Sequence, residues 1–220
     1  PPMDDARDAF ELVCDAIETA GHAARRDDVA IAVDVAATHL QVDGRYQVGG
    51  AVGDLDTDGM LEHVLDWLRE YPIVSIEDPL AEDDWAGWRQ LAARAGDRVQ
   101  LLADDLLATN AGRLERAVDA GAANAALVKP NQAGTISRAI AVTRRAQAAG
   151  WPTVVSARSG ETCDATIADL AVALDAGQIK IGSLARSERL AKYNRLIEID
   201  QSHDGGYAGS RPLAFTRPTD

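Results

Sequence analysis
The sequence predicts an α/β fold built on a parallel β-sheet, and two observations carry that prediction. From residue 73 onward, short apolar runs at 73–77, 99–103, 125–128, 153–156 and 178–182 alternate with helical patterns at 84–95, 111–120, 134–149, 162–176 and 187–199. Strands that alternate with helices at this spacing form βαβ units, whose strands pair in parallel. Successive strand-like runs also finish on an ionisable residue: Asp34, Glu77, Asp104, Lys129 and Lys180. Counting 29–35 there are six such runs. A closed barrel of about eight parallel strands would need two more, expected before residue 1. Residues 1–220 are then one barrel domain of six βα units, with a polar, Gly-rich tail from Gln201 that packs across it through Tyr207 and Phe215.

Each element follows from local pattern. Residues 5–20 place Ala6, Phe10, Leu12, Val13, Ala16 and Ile17 at helical spacing, and Gly21 ends the run. Residues 29–35 are continuously apolar but too short for a helix, which suits a strand buried on both faces. Residues 41–48 alternate around Asp43-Gly44, the pattern of a small hairpin or a loop excursion. Thr57-Asp58-Gly59-Met60 opens a helix through Leu61, Val64, Leu65 and Leu68 that ends before Pro72. The run Val74-Ser75-Ile76-Glu77-Asp78-Pro79 then stops at a proline, which cannot donate to the ladder and bars helical geometry in the residue before it. Its acids are therefore set at the rim of the sheet.

Composition narrows the function. With Lys+Arg 22 against Asp+Glu 35, a net charge of −13 argues against nucleic acid or an anionic membrane as partner. No apolar run approaches the roughly 18 residues of a membrane span, and no signal peptide is visible, so a cytoplasmic protein is expected. Cys14 and Cys163 are too few for a disulfide framework and fit a reducing compartment.

In a parallel barrel the strand ends of one face converge, so Asp34, Glu77 and Asp104 can meet although far apart in sequence. Three carboxylates there repel one another unless a cation holds them, and hard oxygen donors suit Mg²⁺. An amine beside such a cation and a second ammonium gives up its proton more readily, so Lys129 or Lys180 can act as a base. The metal would stabilise the enolate left when a proton is taken from the carbon next to a carboxylate.

These residues resemble the C-terminal barrel of the enolases. The matching segments are Asp34-Val35-Ala36-Ala37, Ser75-Ile76-Glu77-Asp78-Pro79 with Glu82-Asp83-Asp84-Trp85, and Asp104-Asp105-Leu106 with Thr109-Asn110. They continue with Leu127-Val128-Lys129, Arg158-Ser159-Gly160-Glu161-Thr162, and Ala185-Arg186-Ser187-Glu188-Arg189-Leu190-Ala191-Lys192-Tyr193-Asn194. The resemblance implies an enolase-type TIM-like (β/α) barrel whose first strands and N-terminal α+β domain precede residue 1. It implies a cytoplasmic, homodimeric lyase of glycolysis acting on a small phosphorylated carboxylate. Carried over residue by residue, Asp34, Glu77 and Asp104 bind Mg²⁺, and Lys129 takes the C2 proton of 2-phosphoglycerate. Lys180 holds the substrate carboxylate, and Arg158 with Ser159 grips the phosphate.

The sequence departs from the family within this constellation. Ala157 stands where enolases have a histidine that contacts substrate, Ile181-Gly182-Ser183-Leu184 replaces Thr-Gly-Ala-Pro, and Pro130 replaces the usual valine. The family's general acid, a further histidine and a metal-binding serine lie upstream of the matching segment. Two alternatives follow: an enolase paralogue taking another phosphorylated or phosphonate substrate, similar to carboxyphosphonoenolpyruvate synthase, and a non-catalytic homologue. Outside these motifs, His22, His63 and His203 are expected on the surface, and His39 in a loop near the site. Trp85 and Trp88 are expected in the core. Asp78 and Asp105 should point away from the metal by strand alternation and serve as supports.

Overall fold
The computed structural model describes residues 3, 5–50, 52–203, 205–213 and 215. They form two compact units, Pro1–Leu106 with Ala120–Ala123, and Leu107–Asp119 with Asn124–Asp220.

The first unit opens with α1 (Ala6–Thr19), capped by the Asp5 carboxylate, which accepts from the Arg7 amide at 2.9 Å. β1 (Ile31–Asp34) follows. The predicted hairpin is present as β2 (Gln41–Val42) and β3 (Arg45–Gln47), and β4 (Asp54–Leu55) adds a third antiparallel strand. A two-residue strand has no period to read, so β4 was not expected. Then come α2 (Thr57–Glu70), β5 (Ile73–Glu77), α3 (Trp85–Ala95) and β6 (Gln100–Ala103). Asp56 caps α2 and Asp84 caps α3, their carboxylates accepting from Gly59 N and Gly87 N. β1 and β6 flank β5 in parallel, with Asp34 level with Glu77 and Glu77 level with Leu102. Every residue of β5 and β6 is buried, the expected result for unbroken apolar runs in a sheet covered on both faces.

His63 is a correction to the sequence reading. It is buried rather than exposed, with its ring centroid 4.6 Å from that of Trp67. Helical spacing from Met60 and to Trp67 puts it on the apolar face of α2, which decides its environment whatever its polarity. Trp88 is fully buried and donates to the Ala81 carbonyl at 3.1 Å, while Trp85 is half-buried.

The second unit begins with α4 (Ala111–Ala120) and β7 (Ala125–Val128). A short α5 (Pro130–Ala133), which was not expected, ends at Gly134, left-handed at φ 83, and the helix expected over 134–149 is α6 (Ile136–Ala148), capped by Thr135. β8 (Thr153–Ser156), α7 (Thr166–Ala173), β9 (Gly177–Lys180) and α8 (Ser187–Ser202) complete it. α7 starts later than expected because the Asp164 carboxylate accepts from Thr166 N and holds the preceding residues in a turn. β8 pairs in parallel with β7 and β9. Val155, Leu170, Ala171, Leu174 and Ala176 form a core cluster here, with Ile140, Ile167 and Ile179 packed against it. The tail does rest on this unit, but Tyr207 is no anchor, being 94% exposed. Contact comes through Pro212, whose carbonyl accepts from Gln178 Nε2 at 3.0 Å and whose ring fills the space beside Gly177. Cys14 and Cys163 are free thiols, and no helix among the described residues is long and apolar enough to cross a membrane.

Candidate active site
In the first unit the acids sit where the strands stop. Glu77 is the last residue of β5, and Asp78 turns sharply out of the strand with φ 41. That left-handed step breaks the alternation on which the sequence reading of Asp78 relied. Its carboxylate accepts from the Asp104 amide at 3.0 Å and the Asp105 amide at 2.8 Å, tying the end of β5 to the end of β6. Both its oxygens are thus engaged by backbone, but the expectation that it points away from the metal is corrected, since one of those oxygens belongs to the acidic cluster. One carboxylate oxygen each from Glu77, Asp78 and Asp104 lies within 4.8 Å of the others, at exposures of 4%, 2% and 6%. Burial pushes the Asp78 carboxyl up to about 8, against the two amide bonds and with the neighbouring charges of Asp104 and Asp105 acting in the same upward direction. Close, buried carboxyl oxygens are a donor set that fits a hard divalent cation. Asp34 lies outside this trio: it is exposed, but it stands level with Glu77 on the next strand.

A polar network steadies this rim. The fully buried Tyr46 hydroxyl accepts from Ala81 N at 3.0 Å and donates to Asp84 Oδ2 at 2.8 Å. Thr57 Oγ1 donates to the same oxygen at 2.7 Å, and Glu82 N donates to Thr38 Oγ1 at 3.0 Å. The hairpin is thereby fastened to the loop that follows Asp78. Only Asp84, as a helix cap before Trp85, carried a local signal.

In the second unit the four remaining candidates share one end of a parallel sheet. Lys129 follows β7, Arg158 and Ser159 follow β8, and Lys180 ends β9 level with Ser156. Lys129 is half-buried, and its amide donates at 3.0 Å to Thr109 Oγ1, which donates in turn to Gln132 Oε1 at 2.6 Å. Thr109 is buried in a left-handed conformation with φ 47, a strained placement of the kind that collects at functional sites. The Lys180 carbonyl accepts from Ala157 N at 2.9 Å. Arg158 and Ser159 are exposed, and the Arg158 amide donates to Glu161 Oε1 at 2.8 Å. Each unit therefore presents its chemistry at strand C-termini, with anions in one and cations in the other.

Comparison with known protein families matches residues 1–214 to the description "Enolase, C-terminal TIM barrel domain". The six parallel-pairing strands, the intervening helices and the charged strand ends agree with that match. The chain therefore belongs to the enolase C-terminal TIM barrel domain family.

Proposed function
We propose that the protein is a Mg²⁺-dependent carbon–oxygen lyase that dehydrates 2-phosphoglycerate to phosphoenolpyruvate. The observation that carries the reading is the buried cluster of Glu77, Asp78 and Asp104 in a chain of this family, since carboxylates gathered this closely repel one another and a cation relieves that repulsion. Glu77 and Asp104 would hold the metal, joined by Asp34 from the neighbouring strand, while Asp78 keeps the two strand ends in register. Bound there, a divalent cation supplies Lewis-acid stabilisation of developing negative charge. Lys129 Nζ takes the C2 proton, Lys180 Nζ pairs with the substrate carboxylate, and Arg158 with Ser159 binds the phosphate oxygens. The C3–O bond then breaks with its electron pair leaving on oxygen, which takes a proton from solvent and departs as water, completing the elimination.

The test follows phosphoenolpyruvate absorbance with and without Mg²⁺. Turnover that needs Mg²⁺ and disappears in Lys129→Ala supports the assignment. Turnover that survives Lys129→Ala rules out this base. One feature favours a second reading, a paralogue taking a phosphonate: Ala157 brings only a methyl group to the loop that carries Arg158. Mg²⁺-dependent binding of a phosphonate with no turnover of 2-phosphoglycerate would decide for it.

A further inference from the structure
Helix α8 holds the two loops that follow β8 and β9. The Arg189 guanidinium donates from Nη1 to the carbonyls of Arg158 at 2.8 Å and Ile181 at 2.9 Å, and from Nη2 to the Ser159 carbonyl at 3.0 Å. Three residues on, Lys192 is completely buried. Its ammonium donates to the Thr162 carbonyl at 2.6 Å and the Glu188 carbonyl at 2.8 Å, and meets Glu161 Oε2 at 2.9 Å. An ammonium has three protons, and each has an acceptor. Tyr193, on the next turn from Arg189, donates its hydroxyl to the Gly182 carbonyl at 2.7 Å. Gly182 has φ +114, and a Cβ there would lie 3.2 Å from Arg189 Cδ and Nε, so both backbone and space call for glycine.

The consequence falls on Arg158. Its amide is held by Glu161 and its carbonyl by Arg189, while its side chain is exposed. A guanidinium at the end of a long chain binds an oxyanion well only if its own backbone is fixed, because any freedom left in the loop must be lost on binding. The planar, multi-donor fork of Arg189 spans three carbonyls on two loops at once.

We propose that Arg189 is a positioning residue, which fixes the Arg158-Ser159 backbone and thereby sets the oxyanion affinity of that loop without touching the ligand. The proposal rests on the reading of Arg158 and Ser159 as the phosphate grip. Calorimetric titration of the full chain with 2-phosphoglycerate at saturating Mg²⁺, and with Mg²⁺ alone, tests it in the wild type, Arg158→Met, Arg189→Lys and Arg189→Gly. Both Arg189 variants should bind 2-phosphoglycerate about tenfold more weakly or worse, with Mg²⁺ affinity unchanged. Guanidinium ion at non-denaturing concentration should restore binding to Arg189→Gly, which a general loss of stability would not allow. If Arg158→Met loses binding while the Arg189 variants keep it, the positioning role is wrong and the grip stands. Wild-type affinity in Arg158→Met, or no binding by the unaltered chain, removes the grip and the proposal with it. If Arg189→Gly does not fold, Arg189→Lys, which keeps the charge and most of the stem, carries the same comparison.

Discussion
Charged groups at strand ends are handled differently in the two units. In the first, Glu77, Asp78 and Asp104 are sunk below the surface, and two backbone amides aim at one of them. In the second, the ligand-facing candidates Arg158 and Ser159 are exposed, and the buried charge is Lys192, set behind them in a helix. A cation site gains from crowding anions, because desolvated oxygens hold a metal that water would otherwise solvate. An oxyanion grip gains from an exposed fork on a rigid backbone, so its buried charge goes to the support rather than the contact. The two devices should therefore fail in different ways.

The largest effect is expected in the first unit. Asp104→Asn keeps shape and volume but removes one anionic oxygen from the trio. If the metal supplies several kcal/mol of transition-state stabilisation, turnover falls by about three orders of magnitude. Mg²⁺ affinity should fall with it, while the urea midpoint holds or rises as a repulsive charge is removed. A variant with normal Mg²⁺ binding would show that these acids are structural.

In the second unit the corresponding change should act on stability. Lys192→Met leaves Glu161 and the carbonyls of Thr162 and Glu188 without their donor. Breaking a buried pair from one side costs about 3 kcal/mol, read as a lower urea midpoint with an unchanged slope. Mg²⁺ affinity should be unaffected. A midpoint shift close to zero would mean that the loop finds other donors.

Tyr46→Phe probes the scaffold under the acids. It leaves the Ala81 amide without an acceptor and removes one donor to Asp84, at a cost of about 2 kcal/mol. Because the hairpin is fastened to the loop after Asp78 by this hydroxyl, Mg²⁺ affinity should also fall, but far less than in Asp104→Asn. Loss of stability with no change at all in Mg²⁺ binding would detach the network from the site.

How much of this was legible follows from what a local pattern can encode. Strands at 73–77, 125–128 and 153–156 read cleanly because both faces are buried, leaving unbroken apolar runs between breakers. The acids and lysines read as a site because each follows such a run. Asp78 joins the trio only through its left-handed backbone, and nothing in Glu77-Asp78-Pro79 fixes the sign of φ. His63 was misplaced because its chemical type outweighed its helical register. Tyr46 and Arg189 went unnoticed as functional residues because their partners lie 35 and 30 residues away. Arg189 was visible as a member of a family segment, but its grip on two loops was not.

The smallest expected effect separates the units by pH. Burial holds the His63 imidazole below its ordinary value of 6.5, with Arg7 acting the same way against Asp5, Asp66 and Glu70. The unfolded chain therefore takes up a proton at His63 before the folded chain does. Stability from this group is complete above 6.5 and is lost as pH falls through the depressed folded value. Glu161 also sits low: burial raises its carboxyl, but the Lys192 hydrogen bond and the Arg158 amide outweigh burial. Its contribution is complete above the ordinary 4.5 and is lost only as pH falls below that. Acidification should thus remove the His63 contribution before the Glu161 contribution, while Asp78, whose carboxyl burial pushes up to about 8, gains stability over the same range because the folded chain takes up its proton first. The urea midpoint of the wild type relative to His63→Leu should fall through the His63 range as pH is lowered from neutral, and that relative to Glu161→Gln should fall in the Glu161 range. A difference between wild type and His63→Leu that stays flat until the carboxylate range would show that the His63 imidazole is accommodated in its charged form, and the apolar face of α2 would then not be the reason for its burial.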